Sequence, residues 1–169
     1  MKNEKIIISR VYKILSDVTP LKTDCGALCS AACCKGDDKT GMQLLPWEDE
    51  FMDESIFHIE ENKNGKFAVC RGECDRELRP FACRIFPYFP VPVRLRSGRY
   101  VIRVMPDARA IGVCPLLRTE NAEPDPKFFH SVERAGRLLL KSPKTRQWLL
   151  DVSDEIRAVA ELQVKISGK

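Results

Sequence analysis

Eight cysteines in a chain of 169 residues carry the chemistry that can be read first. The first cluster is Cys25-x3-Cys29-x3-Cys33-Cys34, and the second is Cys70-x3-Cys74-x8-Cys83, with Cys114 trailing. Thiolates at such spacings are soft ligands, and their natural use is to hold a metal ion or an iron–sulfur centre. Disulfides would need an oxidising compartment. The first residues, from Met1 to Leu15, have neither the apolar run nor the small-residue cleavage site of a secretion signal. The expectation is a cytoplasmic protein with reduced thiols.

Spacing narrows the choice of centre. No C-x2-C pair occurs, so the tight zinc knuckle, the ferredoxin run and the thioredoxin-type redox pair are all missing. Cys25, Cys29 and Cys33 come close to the C-x3-C-x2-C of radical SAM enzymes but have one residue too many. His58 and His130 stand far from both clusters, which favours an all-thiolate site over a mixed one. An iron–sulfur cluster, with [4Fe–4S] favoured, suits widely spaced soft ligands on a backbone rich in Gly26, Ala27, Ala31 and Ala32. Zinc is the alternative. One centre or two could be built from eight thiols.

The charges around the second cluster suit an anionic centre. Arg71, Arg76, Arg79 and Arg84 outnumber Glu73, Asp75 and Glu77 by one. Arg79 and Arg84 flank Pro80 and Cys83 and are candidates to donate to a thiolate sulfur and tune the cofactor. Phe81, Phe86, Tyr88 and Phe89 would form an apolar wall.

Elements must bring these residues together. Lys5 to Val18 has the helical spacing of Ile7, Val11, Ile14, Leu15 and Val18, ending at Thr19-Pro20. If the stretch from Cys25 were a regular helix, Cys25, Cys29 and Cys33 would share a face and Cys34 would point away. The helix therefore breaks near Cys33, or Cys34 serves another purpose. Lys35 to Asp38 reads as a turn. Leu44 to Glu48 reads as an extended piece entering a helix whose buried stripe is Phe51, Met52, Ile56 and Ile59. Asn62 to Gly65 is a turn, Phe67 to Val69 a strand delivering Cys70, and Arg79-Pro80 starts a turn or short helix carrying Cys83. Val91 to Met105 alternates like a β-hairpin turning at Ser97-Gly98, with Arg94, Arg96, Arg99 and Arg103 as a solvated basic face. Ile111 to Pro115 returns Cys114 to the core. Asn121 to Pro126 is a linker, and two or three amphipathic helices follow to about Lys165. Ser142-Pro143 marks one helix start and Ser153-Asp154-Glu155 another.

The net charge of +4 comes from mixed charges, which argues against a dedicated nucleic-acid binder. No segment suits a bilayer.

Two motifs carry a family resemblance. Cys25 to Cys34, followed by Leu44-Leu45-Pro46-Trp47-Glu48, and Cys70-x3-Cys74 followed by Arg79-Pro80-Phe81-Ala82-Cys83-Arg84-Ile85-Phe86-Pro87, resemble the YkgJ-type cysteine-cluster family of zinc- or iron-chelating domains. The likeness covers about Cys25 to Cys114. The family's usual opening is C-x2-C-x2-C-C, where this chain has x3 gaps. The resemblance implies metal chelation by Cys25, Cys29, Cys33, Cys34, Cys70, Cys74, Cys83 and Cys114. A related cluster in flagellin lysine N-methylase adds a protein-modifying enzyme as a further alternative, although no methyl-donor loop of the Gly-x-Gly-x-x-Gly type is present.

The expectation is an α+β fold: a small irregular metal-organised domain with a β-hairpin, flanked by amphipathic helices. Residues 1–169 would form a single domain, with a cysteine-cluster metal-binding core over 20–118 and a C-terminal helical segment over 124–169 packed on it. The expected function is metal binding, with an iron–sulfur cluster or iron in a redox or accessory role. The alternative is a zinc-stapled interaction domain. The partners are the metal or cluster and a protein.

Overall fold

Helix α1 (Lys2–Leu15) buries Ile7, Ile8, Val11 and Leu15, residues spaced to fall on one face. It ends before Val18, which packs on the core from outside the helix. The computed structural model describes residues 2–23, 25–34, 41–70, 75–118 and 124–168. The expected turn at Lys35 to Asp38, the first half of the expected linker from Asn121, and the positions of Arg71, Glu73 and Cys74 lie outside the described residues.

The fold is α+β. The short helix α2 (Cys25–Cys29) is followed by a three-stranded antiparallel sheet of order β1-β3-β2. Its strands are β1 (Met42–Gln43), β2 (Phe57–Asn62) and β3 (Gly65–Cys70). Register pairs Phe57 with Cys70 and Ile59 with Ala68. Leu44, Met52, Phe57 and Ala68 form a small core on this sheet, with Ile56, Ile59 and Cys70 packed against it.

The long helix expected after Pro46 is not formed. A single 3₁₀ turn, Glu48–Phe51, follows Trp47 in a left-handed conformation (φ 66°). Asp53 then accepts from the Ser55 amide at 2.9 Å, and its carbonyl accepts from Ile56 and Phe57, so the chain leaves helical geometry. Ile59 sits on β2 instead. The local helical spacing is overridden because β3 offers a long-range backbone partner.

Helix α3 (Phe81–Ile85) leads through a cis Phe86–Pro87 peptide into a hairpin of β4 (Tyr88–Arg94) and β5 (Tyr100–Pro106). Gly98 takes φ 82° in the turn, a conformation side chains resist. The amide of Leu95 donates to Arg99, and that of Asp107 to Pro87. Odd positions of β4 are therefore the hydrogen-bonded ones, and Pro90 and Pro92 fall where no amide is required. Arg94, Arg96, Arg99 and Arg103 are exposed, but Arg94 pairs with Tyr100 and Arg103 with Val91, so these two point to opposite faces of the hairpin and do not form the single basic face expected.

Two helices close the chain, α4 (Pro126–Leu139) and α5 (Pro143–Ser167). Ser142 is at the N-cap of α5, but its hydroxyl donates to Glu4 of α1 at 3.0 Å rather than capping the helix. Ser153 starts no new helix; its buried Oγ donates to the Leu149 carbonyl within α5 at 2.6 Å. Helix α4 packs on the hairpin because Gly136 has no side chain. A Cβ there would stand 2.8 Å from Pro90 Cβ. The main core joins α1, α3, β4, α4 and α5, with Phe81, Phe128 and Leu149 fully buried. Each such side chain contributes roughly 1.5–3 kcal/mol by leaving water. Among the described residues no helix is long and apolar enough to cross a membrane.

Candidate metal centre

The first cysteine cluster is shaped by a helix that stops early. After Cys29, both Ser30 and Ala31 take left-handed backbone angles (φ 51° and 53°). The Ala31 amide reaches back to the Gly26 carbonyl at 2.9 Å, and the Cys34 amide bonds Ala31 at 2.7 Å. A 3₁₀ turn, Ala32–Cys34, follows. The break falls three residues before Cys33. It resolves the face problem of a regular helix, because both members of the Cys33-Cys34 pair are turned by a new segment. Left-handed angles cost non-glycine residues about 1 kcal/mol or more each, and such strain is concentrated at functional sites.

Cys33 interacts with Cys34 through a side-chain hydrogen bond and electrostatically with Cys34, Cys25 and Cys29. Loss of water and repulsion from these neighbours push its thiol up to about 12. Cys114, on the loop after the 3₁₀ turn Ala108–Ala110, is buried. Its amide bonds the Ala110 carbonyl at 2.8 Å, which curls the loop inward. Burial raises the Cys114 pKa, and Cys29 is among the charges it feels. In sequence Cys114 trails the second cluster, yet in space it lies within electrostatic reach of Cys29 in the first. Cys29, Cys33, Cys34 and Cys114 are free thiols.

The second cluster is carried by other elements. Cys70 ends β3 and packs on the small core, to which Tyr12 also belongs. Cys83 sits on α3 within electrostatic reach of the same Tyr12. Cys74 lies outside the described residues. Among the described residues, no group of three or more His, Cys, Asp and Glu side chains closes to a metal-holding arrangement. His58 is exposed on β2, and His130 is exposed on α4.

Around Cys83 lies a polar network that sequence reading missed. Glu48 is completely buried. Its Oε1 accepts from Tyr12 Oη and from the Phe81 amide, both at 2.6 Å, and its Oε2 accepts from the Leu45 amide at 2.7 Å. Burial raises the Glu48 pKa, while these three donors and Arg84 act against the rise. Burial and the Glu48 charge together drive the Tyr12 phenol far above its ordinary value. The one signal in the sequence was an acidic residue among apolar neighbours, Leu44 to Trp47.

Arg84 is buried as well, with its guanidinium 4.3 Å from the centre of the Tyr12 ring. Its Nε donates to the Arg79 carbonyl at 2.6 Å, and a terminal nitrogen donates to the Glu77 carbonyl. Arg84 thereby braces the turn that delivers Cys83. Arg79 lines a polar cavity of about 470 Å³ with Asp17, Lys22, Asp75 and Asp125. The expected apolar wall has a different neighbour: Phe81 and Phe89 meet Trp148 of α5, with ring centres 6.0 and 5.8 Å apart, and Tyr88 meets Phe129 at 4.8 Å. Phe86 is half-buried.

No family model, curated protein or solved structure matches this chain.

Proposed function

We propose that this protein binds a metal through thiolates, with Cys25, Cys29, Cys33, Cys34 and Cys114 forming the principal donor set and Cys70, Cys74 and Cys83 a second. The observation that carries the reading is the grouping of thiols from separate parts of the chain: Cys33 feels Cys25, Cys29 and Cys34, and Cys114 feels Cys29. Structural free cysteines are ordinarily isolated in apolar surroundings. Neighbouring thiols around a strained turn suit a cation that would displace their protons and offset the repulsion between the resulting thiolates.

The donor chemistry fits a soft ion or cluster, with no histidine among these cysteines. An iron–sulfur cluster, [4Fe–4S] in our reading, would supply electron-transfer chemistry, and that makes the role redox or accessory. Arg84 and the buried Glu48 hold the Cys83 turn rigid whichever metal is present. The likeness of the motifs to YkgJ-type domains supports the same reading.

Metal analysis together with a visible spectrum on protein purified without oxygen tests it. Iron and sulfide with absorbance at about 400 nm, lost in a Cys29→Ser/Cys33→Ser variant, is the expected result. Stoichiometric zinc in a colourless protein, lost in the same variant, would establish thiolate metal binding but replace the iron–sulfur assignment with a zinc staple. Protein that takes up neither metal, and melts at the same temperature with and without them, would overturn the reading.

A further inference from the structure

The outer face of the α1–α4 pair carries cations that are scattered in sequence. Arg10 and Lys13 on α1 and Arg134 and Arg137 on α4 line a groove of about 550 Å³, with Ile14 and Leu138 between them. Ile14 and Leu138 are half-buried, whereas the four cations are exposed. The strip continues along the same face of α4, where Lys127 precedes Arg134 by seven residues. Seven residues are close to two helical turns, so from Lys127 to Arg137 the line of charge runs for about 15 Å.

Neutralisation within the protein is slight. Glu133 pairs with Arg137 across one turn. Among the described residues, no carboxylate lies within ion-pair distance of Arg10, Lys13 or Arg134. Two acids of the N-terminal segment are engaged elsewhere: Glu4 on α1 accepts from Ser142, and Asp17, just beyond α1, faces the polar cavity with Arg76 and Arg79. The net charge of the whole chain is only +4, so this is a local concentration of cations.

We infer that this groove docks an acidic amphipathic helix of a partner protein. Two lines of cations flank an apolar floor. The complement is a helix with apolar residues at i, i+4 and i+7 and carboxylates on either side. The groove has no aromatic side chain on which a base could stack, and a sugar–phosphate backbone would set its charge over Ile14 and Leu138. The apolar atoms lie between the cations rather than beyond them, whereas a bilayer-binding helix pushes its apolar residues outward. The inference is independent of the metal-centre reading.

Fluorescence anisotropy with full-length protein tests it. The probe is a labelled helical peptide of about four turns, with leucines at i, i+4 and i+7 between glutamates. The expected result is saturable binding that weakens with salt and falls at least about tenfold in Arg10→Glu/Arg134→Glu. Reversal of two hairpin cations, Arg94→Glu/Arg103→Glu, changes net charge equally and should leave binding within about twofold. If the groove variant melts early, Arg10→Gln/Arg134→Gln replaces it, with a loss in the same direction expected. Equal loss in both reversals overturns the inference, as does equal affinity for a peptide with serines in place of the leucines. Tighter binding of a single-stranded oligonucleotide or of vesicles containing anionic lipid also overturns it.

Discussion

Replacing Glu48 with alanine is the sharpest test of how the Cys83 segment is held. The carboxylate satisfies three donors on three parts of the chain: Tyr12 of α1, the Leu45 amide, and the Phe81 amide at the start of α3. Removing it leaves all three buried, and each orphaned donor costs about 1–3 kcal/mol. Relief of the buried charge offsets part of that sum. We therefore expect Glu48→Ala to lose about 3–5 kcal/mol, the range for breaking a buried polar network from one side. Glu48→Gln keeps an acceptor for Tyr12 and Phe81 but turns an amide NH₂ toward the Leu45 N–H, so its loss should be about 1–3 kcal/mol. Tyr12→Phe combined with Glu48→Ala should cost less than the two single losses added, because both remove the same bond. Urea unfolding at neutral pH, followed by far-UV circular dichroism, measures the parent and the four variants. A Glu48→Ala variant within about 1 kcal/mol of the parent would refute the reasoning, since the network would then contribute little to holding α3.

Further outcomes follow from the same geometry. Because burial raises the Glu48 pKa, the folded state holds its proton longer than the unfolded chain. The stability difference between the parent and Glu48→Gln should be largest at acid pH. It should shrink as pH rises from the ordinary carboxyl range through the raised value, as urea midpoints at successive pH values would record. Gly136→Val places a branched side chain against Pro90 and Ile102 and should cost about 1–3 kcal/mol by thermal or urea melting. Cys114→Ser should lower metal content along with the Cys29 and Cys33 variants, measured by metal analysis, if the proposed donor set is correct, because Cys114 lies within electrostatic reach of Cys29. Metal uptake by stripped protein should release protons to a weak buffer, since Cys33 holds its proton well above neutrality.

Much of the chain was legible because its signals are local. The periodicity of α1, the alternation and Ser97-Gly98 turn of the hairpin, and the Pro143 start of α5 depend on neighbours within a few residues. Where a distant partner decides, local reading failed. The apolar spacing from Phe51 to Ile59 looks helical, but pairing with β3 makes its second half a strand. The Ser153 triplet has the composition of a helix start, but the core face on either side, Leu149 through Ile156, keeps α5 continuous.

The sequence by itself determined which groups can do chemistry: eight thiols in two clusters, flanked by arginines. It also determined the α+β class, since both periodicities are written in the residues. Only the tertiary structure decided what surrounds those thiols. Cys114 comes within electrostatic reach of Cys29 because a loop curls inward after Ala110, and Glu48 becomes a buried anchor because Tyr12, Leu45 and Phe81 converge on it. The scattered cations of α1 and α4 become one basic groove in the same way. Each of these depends on packing between segments far apart in the chain, which local spacing does not encode.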